Sequence, residues 1–136
     1  MIEDVAPRDA WASLAETPHA VLCDVRTVPE WQFVGVPDLG PLGRSALLIS
    51  WQVYPEMAIA EDFCASLRDA GCNLAAPLFF LCRSGVRSRA AAEAAEAAGF
   101  ARCFNVAGGF EGPLDGEGQR GQLGGWKAAG LPWRQS

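Results

Sequence analysis

Four short apolar runs, with helical patterns between them, set the tightest limit on what this sequence can fold into. They are AVLCDV at 20–25, ALLI at 46–49, PLFFL at 77–81 and RCFNV at 102–106. Each is too short for a stable helix and is bounded by proline, glycine or polar residues, as buried strands are. Residues 7–16 read as a helix, with Pro7 in its first turn and Trp11, Leu14 and Ala15 on one face. Residues 56–70 read as a second helix, because Ala60, Phe63, Cys64 and Leu67 follow i, i+3, i+4, i+7 spacing and Gly71 stands at the stop. A third runs from Val86 to Gly99, alanine-faced at 90, 94 and 98, with Glu93 and Glu96 turned outward. The Pro/Gly-rich segment 28–44 is expected to be a loop with one helical turn at 29–33, and the glycine-rich tail turns helical near 126–129. Strands alternating with helices predict a three-layer α/β fold, a central mostly parallel sheet flanked by helices on both faces. The 136 residues suffice for a single domain spanning 1–136.

Composition removes several classes of function. The formal charge is −5, which disfavours nonspecific binding to nucleic acid or to an anionic membrane. No run approaches the roughly 18 to 20 apolar residues needed to cross a bilayer, and the acidic N-terminus MIEDVAPRD does not read as a signal peptide. The five cysteines form no CxxC pair, and with His19 the lone histidine there is no zinc constellation, so no metal is expected. Reduced thiols in a cytoplasmic setting follow as the expectation. An anionic substrate would meet a repulsive background, so a local cluster of arginines is informative.

Such a cluster follows the third run. In FFLCRSGVRSRAAAEAA a buried strand delivers Cys82, a short polar loop follows, and a helix begins within about four residues. The first backbone amides of a helix point outward unpaired, and the macrodipole adds partial positive charge there. A cysteine in that position presents its sulfur to those donors, and the thiolate is the nucleophilic form. Arg83 and Arg87 are candidate anion-binding cations, Gly85 lets the loop curl, Ser84 and Ser88 are candidate donors, and Val86 completes the loop. The same cradle favours a negatively charged persulfide. Cys82 to Arg87 is Cys-x4-Arg, one residue shorter than the Cys-x5-Arg cradle of tyrosine-phosphatase-like enzymes. A smaller ring suits a sulfur atom better than a tetrahedral oxyanion.

On these residues the chain resembles the rhodanese-like family. CDVR at 23–26 with Glu30 and Trp31, CRSGVRS at 82–88, NVAGGF at 105–110 and WKAAGLP at 126–132 stand in the family's order. The resemblance implies a rhodanese fold, no cofactor, and a Cys82 that takes up sulfane sulfur and passes it to a thiophilic acceptor. Implied partners are a small sulfur-containing anion, a low-molecular-weight thiol or persulfide, or a protein sulfur acceptor. Two departures are FVGVPDLG, where the family has a histidine-containing turn, and the segment 111–125 between GGF and Trp126, a candidate for the mouth of the site.

The remaining polar residues carry milder expectations. Asp24, Arg26 and Glu30 read as a supporting buried network, with Glu30 available to pair with an arginine. Arg89 reads as a solvated helix residue pairing with Glu93. Cys23, Cys64 and Cys103 read as core, Cys72 as more exposed, and Trp51, Trp126 and Trp133 as core or the walls of a pocket. Two readings stand beside the sulfurtransferase: a binding or regulatory module that has lost turnover, and a cysteine-based phosphatase or arsenate reductase, against which the short loop counts.

Overall fold

A computed structural model describes residues 2–135. The expected α/β architecture is present. Five strands form one sheet in the order β1-β8-β7-β2-β4, from Glu3–Val5 (β1), Val21–Asp24 (β2), Leu47–Leu48 (β4), Pro77–Leu81 (β7) and Arg102–Val106 (β8). Every pairing in it is parallel. The helices are Pro7–Glu16 (α1), Val28–Phe33 (α2), Phe63–Asp69 (α3), Val86–Ala97 (α4) and Gly125–Ala128 (α5). Two small antiparallel ribbons complete the fold, Val36–Pro37 (β3) with Trp133–Arg134 (β9), and Gln52–Val53 (β5) with Ala58–Ile59 (β6).

Strand β7 shows why the sheet needs cover on both sides. All five of its residues are buried, and a strand sends alternate side chains to opposite faces. Leu78 and Phe80 enter a core with Phe63 and Leu67 of α3 and Ala91, Ala92 and Ala95 of α4. Phe79 and Leu81 enter a second core with Ala10 and Leu14 of α1 and Trp126 of α5. The same alternation turns Cys82, next along the chain, toward the α4 side. The alanines let α4 lie close on the sheet.

Several elements depart from the sequence expectation. Helix α3 begins at Phe63, because residues 52–59 form the β5–β6 hairpin instead of a first helical turn. Ala60 still packs on the core, but from extended chain whose N–H donates to the Trp51 carbonyl. The buried face of α4 is Ser88, Ala91, Ala92 and Ala95, one step round from 90, 94 and 98. On α1, Ala10 joins Leu14 in the core and Ala15 is exposed. Strand β1 was not expected. Its sequence, EDV, has no apolar run, and it is recruited by the free edge of β8.

Beneath the C-terminal edge of the sheet lies one buried ion pair. Arg26 Nε and Nη2 donate to the Asp24 carboxylate at 2.9 and 2.7 Å, and both side chains are inaccessible to solvent. Arg26 Nη2 also donates to the Gly35 carbonyl at 2.6 Å, and the guanidinium carbon lies 4.3 Å from the centre of the Phe110 ring. One residue pair thereby ties β2 to the segment after α2 and to the turn after β8. Such a pair adds little net stability when intact, yet leaves an uncompensated charge when broken. Asp24→Ala is therefore expected to lower the unfolding free energy by about 3–5 kcal/mol, read as a fall in the urea midpoint with the slope unchanged.

Candidate active site

Only Arg83, Ser84 and Gly85 separate Cys82 from the first residue of α4. The chain reverses there because Gly85 takes φ of 116°, a left-handed conformation that side chains disfavour. The reversal brings the Gly85 N–H to 3.1 Å from Cys82 Sγ. Ser88, at the third position of α4, places its hydroxyl 3.2 Å from the same sulfur. Ser84 is half-buried and gives the sulfur no hydrogen bond. The sulfur thus sits at the start of a twelve-residue helix, where outward amides and the dipole favour negative charge.

The turn after β8 holds this loop from behind. The Phe110 N–H donates to the Cys82 carbonyl at 2.7 Å, and the Glu111 and Gly112 N–H groups donate to the Arg83 carbonyl at 3.0 and 3.2 Å. The backbones approach so closely that a Cβ on Gly109 would stand 2.4 Å from the Cys82 oxygen. Gly109 is thus required by contact as well as by its φ of 62°. The segment 111–125 therefore clamps the loop at its first residues, while its end, at 122–125, lies along Ala6–Arg8 and α5.

The arginines divide. Arg87 makes a two-pronged pair with Glu30, Nη1 to Oε1 at 2.7 Å and Nη2 to Oε2 at 2.9 Å. Glu30 also accepts from the Thr27 N–H and hydroxyl, so the carboxylate caps α2 and anchors α4 at once. Burial opposes the charge on Glu30, but the bonds from Arg87 and Thr27 outweigh it and hold the carboxyl below its ordinary value. Arg87 is raised in turn, first by its bond to Glu30. The expected role of Arg87 as a free anion ligand is thus modified: its guanidinium is already neutralised. Arg83 is exposed, and its side chain has no hydrogen bond or ion pair among the described residues. Arg89 pairs with Asp4 and donates to the Ile2 carbonyl, and so does not pair with Glu93 as expected.

Asp24 and Arg26 form the supporting pair described above and do not touch the sulfur. Asn105 is the residue that sequence reasoning passed over. Its amide contacts both Ser88 and the Gly85 carbonyl. A lone asparagine inside the apolar run RCFNV was the available signal, since a buried polar group demands partners. The other cysteines stay apart from this cluster. Burial pushes the thiols of Cys23 and Cys72 up and that of Cys103 up to about 11, so these three remain protonated near neutral pH. Cys72 is half-buried against the core, less exposed than expected. Trp126 is core, Trp51 packs edge-on to Phe63, and Trp133 lies under Lys127 and edge-on to Phe110.

The profile of the rhodanese-like domain matches residues 6–113. The chain belongs to the rhodanese-like domain family. An uncharacterized protein of Rickettsia rickettsii is 35% identical over 133 residues, covering 98% of both chains. The crystal structure of Rv0390 from M. tuberculosis superposes with a TM-score of 0.90 at 49% identity, covering 98% of each chain. The polysulfide-sulfur transferase homodimer of Wolinella succinogenes shares the rhodanese-like fold, with a TM-score of 0.66, 21% identity, and coverage of 99% of this chain and 80% of that one.

The pair between α2 and α4 of this rhodanese-like chain has a pH signature. The folded Glu30 carboxyl lies below its ordinary 4.5, so the unfolded chain takes up the proton first. The stabilisation is complete above that ordinary value and is lost as pH falls through the folded one. Glu30→Gln is expected to be less stable than the parent near pH 7, with the gap closing in acid below about pH 4. Urea midpoints across that range check it.

Proposed function

We propose that this protein is a sulfurtransferase that carries sulfane sulfur as a persulfide on Cys82. The observation that carries the reading is the sulfur at the start of α4, held by the Gly85 N–H and facing the Ser88 hydroxyl. Membership of the rhodanese-like family supports it.

In the first half-reaction the Cys82 thiolate attacks the outer sulfur of a donor such as thiosulfate. A new S–S bond forms, the donor S–S bond breaks, and sulfite departs with the electron pair. Cys82 is left as Cys–S–S⁻. In the second half-reaction an acceptor nucleophile, cyanide or a thiolate, attacks the outer sulfur. The Cys82 thiolate is the leaving group, so the cycle is balanced and calls on no redox partner. Negative charge passes between the two sulfur atoms throughout, and fixed amide donors stabilise it without reorganising. Arg83, exposed and unpaired, is placed to attract the anionic donor against a chain of net charge −5.

Two features favour sulfur over phosphoryl transfer. Cys82 is only 1% exposed, which suits a donor that presents one terminal sulfur atom. Arg87, the arginine a phosphate cradle would use, is bound to Glu30. The test is thiocyanate formation from thiosulfate and cyanide by the purified protein. Cys82→Ser is expected to abolish it, whereas Arg83→Ala is expected to raise the KM for thiosulfate about three- to tenfold with little change in kcat. Full turnover by Cys82→Ser would end this reading.

A further inference from the structure

The Ser88 hydroxyl oxygen lies within hydrogen-bond distance of two acceptors, Cys82 Sγ at 3.2 Å and Asn105 Oδ1 at a shorter distance. A serine carries one proton, so only one of these bonds exists at a time. Which acceptor wins depends on how the Asn105 amide is turned. That orientation is fixed, because Asn105 Nδ2 donates to Asp4 Oδ1 at 2.9 Å and to the Gly85 carbonyl at 3.1 Å, neither of which can itself donate to a nitrogen. The amide oxygen must then face Ser88. Ser88 and Asn105 are 0% and 3% exposed, so water does not readily take the place of either partner.

We propose that Asn105 is a positioning residue that competes with the Cys82 sulfur for the Ser88 proton, its orientation locked by Asp4. In the neutral thiol, the sulfur's own proton turns to Ser88 Oγ and the Ser88 proton goes to Asn105. When the thiol proton leaves for solvent, the Ser88 proton turns to the anionic Cys82 sulfur and Asn105 Oδ1 loses its donor. The asparagine thereby restrains how strongly the site holds negative sulfur, which keeps the sulfur reactive. Asp4 and Asn105 are direct partners in the β1–β8 register, and Arg89 holds Asp4 from the helix side. Strand β1 precedes residue 6, where the family match begins, so the lock comes from chain outside that match.

The inference rests on Cys82 being the reactive thiol, and the test separates the two claims. The rate of Cys82 alkylation by iodoacetamide is measured against pH, with peptide mapping to read Cys82 alone. The charged groups around the sulfur, Arg87 with Glu30 from α4 and α2, Asp24 with Arg26 from β2, Arg89 with Asp4 from α4 and β1, and Arg83 from the loop, are the same in the Asn105 and Ser88 variants. Asn105→Leu, which keeps shape and removes the acceptor, is expected to move the acid limb of the profile about half to one pH unit lower. Ser88→Ala, which removes the contested proton, is expected to move it higher. With Ser88 already alanine, Asn105→Leu is expected to move it no further. Asp4→Ala, at a half-exposed position that spares the core, also removes a carboxylate and frees Arg89. Its effect through Asn105 is therefore read as the part of its downward shift that disappears when Ser88 is alanine, and that part is expected to be smaller than for Asn105→Leu. A packing role for Asn105 lowers stability in all backgrounds and leaves the profile in place. Shifts of Asn105→Leu and Asp4→Ala that are absent, upward, or unchanged without Ser88 overturn the inference. A parent protein whose Cys82 fails to alkylate overturns the reactive-thiol reading and this inference with it.

Discussion

The hydrogen bond from the Gly85 N–H to the Cys82 sulfur closes a ring that spans only four residues. Its geometry demands a left-handed residue between a strand and a helix, and Gly85 supplies it. Everything else at the site follows from that reversal. It sets α4 starting directly over the strand end, so the sulfur meets the end of the helix where unpaired amides concentrate. It also brings Ser88 onto the same side as the sulfur, within the first turn of the helix. A longer loop would move those donors outward and open room for a larger anion.

A loop this tight keeps its shape only if its neighbours leave it no alternative. Three neighbours do so from different directions. The turn after β8 grips the Cys82 and Arg83 carbonyls through three amides and approaches too closely for any side chain at Gly109. The Arg87–Glu30 pair fastens the first turn of α4 to the first turn of α2. The buried Asp24–Arg26 pair braces the next strand, and its guanidinium supports Phe110, the residue whose amide holds Cys82. Two of the three arginines singled out by position thus build the site, and Arg83 alone remains free to meet a ligand.

Much of this was legible in the sequence where a local rule applied. The bounds of α1, β7 and β8 follow from apolar runs, a proline at an N-terminus and glycines at stops. The Cys82 loop is legible for the same reason, since strand, glycine and helix are consecutive. The misreadings arose where long-range contacts override local pattern. Residues 56–62 carry helical spacing, yet Ala58 and Ile59 pair with Val53 and Gln52 in a hairpin, and turns at 54–57 and 61–62 flank them. Strand β1 has acidic residues and exists because β8 offers an edge. Arg87 next to the cysteine reads as a ligand for substrate, and nothing local reveals that Glu30, fifty-seven positions away, claims it. Asn105 was visible as a polar residue in an apolar strand, but its partners come from two distant segments, Asp4 of β1 and the stretch from Gly85 to Ser88 at the start of α4.

The central claim is that the sulfur of Cys82 is loaded with a second sulfur. It is tested most directly by intact-mass and peptide mass spectrometry of the reduced protein after exposure to thiosulfate and, separately, to glutathione persulfide. The account predicts a gain of one sulfur atom on the peptide containing Cys82, removed by dithiothreitol and absent from Cys82→Ser. A protein that gains no sulfur from either donor, or gains it equally when Cys82 is serine, would contradict it.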